Sequence, residues 1–271
     1  MIQSLRFPVL IPVPDQRPSA LSRVLPVALP LFLMGVCAAG ARVEDAPTLP
    51  FAIGEKLTYE VRVPKIGKVG KGTMWIEGPA TVRGTSTFLL RFNSNIQVAF
   101  VKGVSRSSSW FDPVRRASLR FSKHERNPLS SQDEAVEMFP EEKRWSDAKG
   151  QRGTSPGDSP LDELSFMYFI RTLPLTPGAV HTFDRHFDAA RNPVTIRMIR
   201  REMIPTPMGE IRAFLVEMRV RDPRHYKGEG LIRIHLTDDA CRLPARIEST
   251  MPVVGTAILE IASANTRCAL K

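Results

Sequence analysis

Cysteine is scarce in this sequence, and several motifs that carry chemistry are missing. Only three cysteines occur, Cys37, Cys241 and Cys268, and no two of them form a Cys-x-x-Cys pair, which leaves a redox dithiol or a zinc ribbon without support. The sequence also lacks a glycine-rich phosphate loop, a dinucleotide fingerprint and a His-Glu-x-x-His metal motif. From these absences we predict no catalytic residue, no metal site and no cofactor.

Long hydrophobic runs are missing as well. The uncharged run Val24–Ala41 contains prolines and is shorter than the about 20 apolar residues that a membrane-spanning helix needs. It ends in Ala39-Gly40-Ala41 and follows three arginines, the order of a secretory signal. The arginines are Arg6, Arg17 and Arg23. We therefore predict a cleaved signal peptide at 1–41 and a single exported β-rich domain at 42–271, periplasmic or secreted, with no transmembrane span.

Two alternatives to a cleaved leader stay open. In the first, the run remains uncleaved and anchors the chain in the membrane. In the second, Cys37 carries a lipid, although Val36 occupies the position where a lipoprotein signal has a small residue. Both alternatives keep the domain outside the cytosol, so both agree with the predicted compartment.

Charge of one sign dominates the chain, whose formal net charge is +10. Outside the cytosol, the anionic partners of a basic protein are phospholipid head groups, lipopolysaccharide or cell-wall polymers, rather than nucleic acid. Seven arginines fall on segments that we expect to form neighbouring strands, where several would make a basic stripe: Arg197, Arg200, Arg201, Arg212, Arg219, Arg221 and Arg224. The alternative is that they only solvate outer strand faces.

Apolar and polar residues alternate with a period of two along much of the chain, which is typical of half-buried strands. The pattern covers 57–61, 88–92, 96–100, 214–220, 232–236, 245–249 and 256–260. Turn residues separate these runs: Gly78-Pro79, Asn93-Ser94-Asn95, Asp112-Pro113, Asn192-Pro193, Asp222-Pro223 and Asp238-Asp239. Many short strands between such turns predict a sandwich, a barrel or a strongly curved antiparallel sheet.

One segment, Ser159–Thr172, has the signals of a helix. Ser159 is a suitable N-cap, proline and acidic residues follow it, and Pro174 stops the pattern. Because the segment is apolar nearly all round, we expect a buried helix. We therefore predict a mainly β fold: a single highly curved antiparallel sheet of about ten strands, half-barrel to barrel-like, with the helix packed on its concave face. A long flexible loop at about 146–158 precedes the helix.

Several local motifs that could suggest chemistry are better explained as ordinary loop, strand or turn residues. Residues 153–157 match Gly-x-Ser-x-Gly, but they lie in a polar loop rather than in a sharp strand-to-helix turn. His181 and His186 would point to opposite faces of a strand, which argues against a shared metal ion. The other histidines stand alone among polar residues and are predicted to face solvent: His124, His225 and His235. The acidic pairs Glu141-Glu142 and Asp238-Asp239 are predicted to be turn residues.

Cys241 and Cys268 flank a predicted terminal hairpin whose turn lies near Pro252–Gly255. Folding about that turn brings Cys268 within a few residues of the position opposite Cys241. A disulfide between them and two free, buried thiols are the two alternatives, since disulfide geometry is strict.

Two segments at the ends of the chain resemble a known family. Residues 49–61 read LPFAIGEKLTYEV and residues 236–249 read LTDDACRLPARIES, with LPLTPG at 173–178 and TPMG at 206–209 between them. This pattern resembles the exported bacterial proteins of the domain of unknown function 3108 family, over nearly all of 49–263. The resemblance implies an exported, mostly β protein and supplies no catalytic residues. A looser likeness is to periplasmic lipoprotein carriers, whose curved sheet takes acyl chains on its concave side.

The leading functional hypothesis is a non-enzymatic cell-envelope protein that binds a lipid or another amphiphile in the concave face. Aromatic residues would line the site and arginines at its rim would meet the anionic head: Phe88, Phe92, Phe100, Phe166, Tyr168, Arg197, Arg219 and Arg221. Ordinary core packing is the alternative for the aromatic residues. A scaffolding module that binds other envelope proteins, and an unrecognised hydrolase, are the alternative functions.

Overall fold

The computed structural model describes residues 49–127, 130–221, 229–251 and 255–267. The predicted signal peptide, Cys37, Cys268, Arg224 and His225 therefore lie outside the described residues. The strands are β1 (Lys56–Val63), β2 (Gly67–Val82), β3 (Thr85–Val98), β4 (Val101–Asp112), β5 (Ala117–Asn127), β6 (Ser130–Phe139), β7 (Arg144–Asp147), β8 (Arg152–Thr154), β9 (Val180–Phe183), β10 (Val194–Thr206), β11 (Gly209–Arg221), β12 (Glu229–Thr237), β13 (Pro244–Met251) and β14 (Gly255–Asn265).

All of these strands belong to one antiparallel sheet that is not closed. Its order is β8-β7-β6-β5-β4-β3-β2-β1-β14-β13-β12-β11-β10-β9, so nearly every strand pairs with its neighbour in the chain. The exception is the pairing of β1 with β14, which joins the first half of the chain to the second. The predicted mainly β, curved antiparallel architecture is confirmed, while the described part of the chain has 14 strands instead of about ten.

Two predicted turns lie inside strands. Asn93-Ser94-Asn95 is in the middle of β3, where it pairs with β2 on one side and β4 on the other. Two flanking ladders outweigh the turn preference of asparagine, because strand formation depends on the neighbours. Gly78-Pro79 forms a bulge in β2, where the pairing with β3 shifts between Glu77 and Ala80. A proline inside a strand is usually found at such a bulge.

The helix α1 (Glu163–Phe169) continues as a 3-10 turn over Ile170–Thr172. It is shorter than predicted because its N-cap is Asp162, not Ser159. The helix is buried, as its composition predicts, and its Tyr168 ring packs edge-on against Phe51 at 5.1 Å between ring centroids. No helix among the described residues is long and apolar enough to span a membrane.

Two chain segments lie side by side where the sheet stays open. Leu161 and His186 form an isolated parallel bridge. The Trp145 ring of β7 contacts the Phe187 ring at 5.6 Å between centroids, which links the β7–β8 end of the sheet to the segment after β9. The predicted loop at 146–158 is therefore partly ordered as strands, since it includes the end of β7 and all of β8.

Candidate functional site

The first turn of α1 places a buried carboxylate beside the sheet. Asp162 accepts hydrogen bonds from the backbone N–H groups of Leu164 and Ser165, each at 2.9 Å. The Ser109 hydroxyl of β4 donates to its other oxygen at 2.6 Å. Burial raises the pKa of Asp162 to about 6, against the opposing effect of these hydrogen bonds. The group caps the helix.

A charged cluster follows directly on the same turn. Arg191 donates to the Glu163 carboxylate, and the His186 ring nitrogen Nε2 lies 3.9 Å from the same oxygen. Burial alone would raise the pKa of Glu163, but the contact with His186 and the charge of Arg191 hold it well below its ordinary value. His186 also accepts from the Asp188 N–H. Among the described residues no three ligating side chains are grouped so that they could hold a metal ion.

The other end of the helical segment is held by a buried ion pair that the sequence analysis did not find. Arg171, whose side chain is 1% exposed, donates to both oxygens of Glu55 at 2.6 and 2.8 Å. Its guanidinium also donates to the carbonyl oxygens of Cys241 and Pro50. Glu55 directly precedes β1 and belongs to the Gly-Glu pair in residues 49–61, one of the two end motifs. The pair therefore ties the first strand to the helix.

Residues 236–249, here called the closing motif, contact the same end of the helical segment. Asp239 accepts from the backbone N–H groups of Cys241 and Arg242, which forms the predicted turn. Arg242 in turn donates to the carbonyl oxygens of Arg171 and Leu173 at the end of the helical segment. A cation is favourable there, because the last carbonyl groups of a helix have no partner within it. Asp239 and Arg242 of the closing motif therefore stabilise the fold at the end of the helical segment.

The predicted apolar lining residues differ in burial. Phe166 and Tyr168 are buried in the core, while Phe88 and Phe92 are partly buried and pack against it. Phe100 is a correction: its side chain is 99% exposed. It follows Ala99, whose φ of 51° forms a tight turn between β3 and β4, so the alternation that predicted an inward direction ends before Phe100.

The arginines of the predicted stripe are exposed, and only some of them lie close to one another. Arg219 and Arg221 both approach Glu229, at 3.9 and 4.0 Å. Arg197 lies on β10, opposite Glu217 of β11. Arg201 and Arg212 share Asp238 near the far end of the same two strands, so carboxylates divide the stripe.

A cleft of about 470 Å³ lies across β10–β13. It is formed by the row Arg200, Leu215, His235 and Arg246, which the register places opposite one another on successive strands. This face of the sheet is opposite to that of Val216 and Ile234, which are in the core, because successive residues of a strand alternate in direction. The described residues that line the cleft are Ile199, Arg200, Glu202, Ile204, Leu215, Glu217, Arg233, His235, Arg246 and Glu248.

Charges in the cleft are interleaved and paired. Arg200 donates to Glu202 at 2.9 Å, and Arg233 donates to Glu217 at 3.1 Å. A further pair lies within residues 236–249: Arg246 Nε is 2.9 Å from Glu248, and both side chains are half-buried. These pairs fix the guanidinium groups in place.

At the centre of the cleft is a histidine with one free nitrogen. His235 is 6% exposed, which corrects the prediction that it faces solvent. Its Nε2 lies 2.9 Å from Glu202, and this hydrogen bond lowers the pKa of the Glu202 carboxyl. Its Nδ1 is buried and has no hydrogen-bond partner among the described residues. When the ring is neutral, Nε2 donates to Glu202 and Nδ1 is left as an acceptor.

The remaining predicted sites are structural. Ser155 of the Gly-x-Ser-x-Gly match is buried, and its hydroxyl donates to the Phe187 carbonyl at 3.2 Å. Cys241 is disulfide-bonded, and its pairing with Cys268 stays a prediction. Glu141 and Glu142 lie in a 3-10 turn, as predicted. His124 is half-buried and contacts Asp133 on the neighbouring strand.

The fold is shared with a solved structure of very different sequence, and two further solved structures match with lower scores. A beta-barrel-like protein of domain of unknown function DUF1849 from Brucella abortus matches 81% of this chain and 100% of its own, with a TM-score of 0.53 at 10% identity. A putative exported protein with a YmcC-like fold from Bacteroides fragilis matches 80% and 98% of the two chains, with a TM-score of 0.29 at 10% identity. A putative lipoprotein from Parabacteroides distasonis matches 80% and 99%, with a TM-score of 0.30 at 10% identity.

The sequence itself identifies the family. A comparison with curated proteins gives no significant match. The family described as "Protein of unknown function (DUF3108)" matches residues 58–262, which is most of the chain and contains all the residues that line the cleft. The resemblance seen in the two end motifs is thus confirmed, and the chain belongs to the DUF3108 family.

Proposed function

We propose that this protein is a non-enzymatic, exported protein of the cell envelope that binds a small amphiphilic ligand in the β10–β13 cleft. The observation that carries the proposal is the cleft itself, in which arginines paired with glutamates lie beside apolar side chains. The volume of 470 Å³ falls within the range of about 300–1,000 Å³ that is typical of small-molecule sites.

The lining defines the chemistry of the ligand. A hydroxyl or N–H group of the ligand would donate to the carboxylates of Glu202, Glu217 or Glu248, whose oxygens can accept more than one hydrogen bond. Oxygen atoms of the ligand would accept from Arg200, Arg233 or Arg246, whose remaining N–H groups can bind beyond their glutamate partners. Ile199, Ile204 and Leu215 would contact its apolar part.

Binding without catalysis is the function that this lining supports. Among the described residues no serine, threonine, cysteine or lysine lines the cleft, and its histidine and glutamates are already paired with one another or with arginines. The arginines and glutamates are engaged with each other, which favours a fixed recognition surface. The site differs from the interior that the sequence suggested, because α1 and the aromatic residues fill that interior.

Native mass spectrometry of protein purified from its own envelope fraction tests the proposal. We expect a small co-purified molecule on the wild-type protein and none on Ile199→Trp, which fills the cleft without removing an ion pair. Val180→Trp, on the exposed edge strand β9, is the matched control and should keep the molecule. A wild-type protein without a ligand, or an Ile199→Trp variant that retains it, would overturn the proposal; tight protein partners on a ligand-free chain would favour the scaffold alternative.

A further inference from the structure

Beyond the cleft, one rim of the sheet carries exposed apolar side chains. Phe100, in the β3–β4 turn, is 99% exposed, and Ile66, in the β1–β2 turn, is 56% exposed. Both turns lie at the same end of the sheet, because each joins an odd-numbered strand to the next in an antiparallel meander. We call Ile66 and Phe100 the apolar tips.

The strand order places the two turns next to each other. β2 and β3 are neighbours, and their pairing ends with Gly70 opposite Ile96. Ile66 and Phe100 each lie four residues beyond this last pair. Neighbouring strands lie about 4.8 Å apart, so the two tips belong to adjacent hairpins at one rim.

The turn between β3 and β4 prevents Phe100 from folding back. Val98 and Val101 form the last pair of the ladder, which leaves only Ala99 and Phe100 in the turn. A two-residue hairpin loop has no slack with which to return a side chain to the sheet. The aromatic ring is therefore held in contact with solvent.

The charges around the tips identify the partner. Lys65, Lys68 and Lys102 flank them, and no acidic residue occurs at 63–70 or 96–104. Lys68 is paired with Glu60, while neither Lys65 nor Lys102 has an ion-pair partner among the described residues. A protruding aromatic residue with lysines beside it matches the interface of an anionic bilayer, where the ring enters the head-group region and the ammonium groups meet lipid phosphates. Two side chains are too small an area for a stable protein interface, which needs about 1,000 Å².

From this geometry we propose that the apolar tips insert into the surface of an anionic membrane. The opposite rim provides a natural comparison. Val114, in the β4–β5 turn, is 92% exposed, but the neighbouring Arg115 is paired with Glu141. Apolar exposure is thus present at both rims, and unneutralised positive charge accompanies it at the Phe100 rim.

Co-sedimentation of the full chain with vesicles tests the proposal. We expect binding to vesicles of phosphatidylglycerol and phosphatidylethanolamine and little binding to phosphatidylcholine vesicles. Phe100→Ser should weaken binding about tenfold, the effect of removing one inserted aromatic side chain. Lys65→Gln with Lys102→Gln should weaken it by a similar factor at low salt. Val114→Ser is the matched control and should bind like the wild type.

Three results would overturn the proposal. The first is equal binding of wild type and Phe100→Ser, and the second is an equal loss in Val114→Ser. The third is a dimer in solution, measured by light scattering, that Phe100→Ser converts to a monomer, because a second copy would then cover the tips. Ile199→Trp separates the two proposals, since it should lose the ligand of the cleft and keep vesicle binding.

Discussion

Glu55→Gln removes the negative charge of the buried pair that joins β1 to the end of the helical segment. The Arg171 guanidinium is buried and is oriented by both oxygens of Glu55 and by the carbonyl oxygens of Cys241 and Pro50. A glutamine leaves this cation without a counter-charge in the interior. Loss of one partner of a buried pair costs about 3–5 kcal/mol, a large share of a total free energy of unfolding of about 5–15 kcal/mol.

Urea unfolding at pH 7, followed by tryptophan fluorescence and circular dichroism, measures this cost. Glu142→Gln is the matched control, because Glu142 pairs with Arg144 at the surface, where an ion pair contributes less than about 1 kcal/mol. The double variant Glu55→Leu with Arg171→Met should recover part of the loss, since no unpaired charge remains. Equal destabilisation by Glu55→Gln and Glu142→Gln, or a double variant no more stable than Glu55→Gln, would refute this account of the pair.

Three further predictions concern α1 and the open side of the sheet. The pKa of Asp162 is raised from 3.8 to about 6 in the folded protein, so the folded state holds this proton more tightly and wild-type stability should fall as pH rises from about 4 to about 6. Relative to Asp162→Asn, which does not titrate, the wild type should lose about 3 kcal/mol across that window, and a constant difference would contradict the assignment. Gly153→Ala places a Cβ 2.6 Å from the Trp145 ring and should cost about 1–3 kcal/mol in thermal or urea unfolding; Gly157→Ala, which meets no atom within 4 Å, is its control. Ser155→Ala should cost about 1 kcal/mol by loss of the bond to Phe187, and a neutral effect would show that this bond does not stabilise the fold.

Part of the sheet was predictable, because alternation in a strand reflects one buried face. β11–β13 follow the predicted alternation, with Phe214, Val216 and Ile247 buried, whereas β14 buries Leu259 and Ile261 instead of Ile258. The predicted runs do not cover the longer strands β2, β4, β5, β6 and β10, and β7, β8 and β9 have only three or four residues, too few to show a period. The helix was predicted, but its N-cap was placed three residues too early, because Asp162 gains Ser109 on β4 as a partner only in the folded chain.

The cleft could not be predicted, because its residues look like ordinary solvent-facing positions along each strand. Only the pairing register sets Arg200, His235 and Arg246 in one row, and that register depends on a shift between Met198 and Arg200 in β10. Without the shift, the strand would present its other set of side chains to this face. The charged pattern Arg-Ile-Glu in the closing motif was the one signal present in the sequence.

The closing motif joins the helix end to the cleft through β13. Asp239 and Arg242 hold the turn before β13, and Arg246 and Glu248 line the cleft on the strand itself. Because β13 is paired on both sides, by β12 and β14, the two groups are parts of one rigid element. Loosening the helix end by Glu55→Gln should therefore also weaken ligand retention in the cleft, whereas Ile199→Trp should remove the ligand and leave the free energy of unfolding of the ligand-free protein nearly unchanged. Ligand retention in Glu55→Gln equal to that of the wild type, under conditions where both are folded, would show that the cleft does not depend on the buried pair.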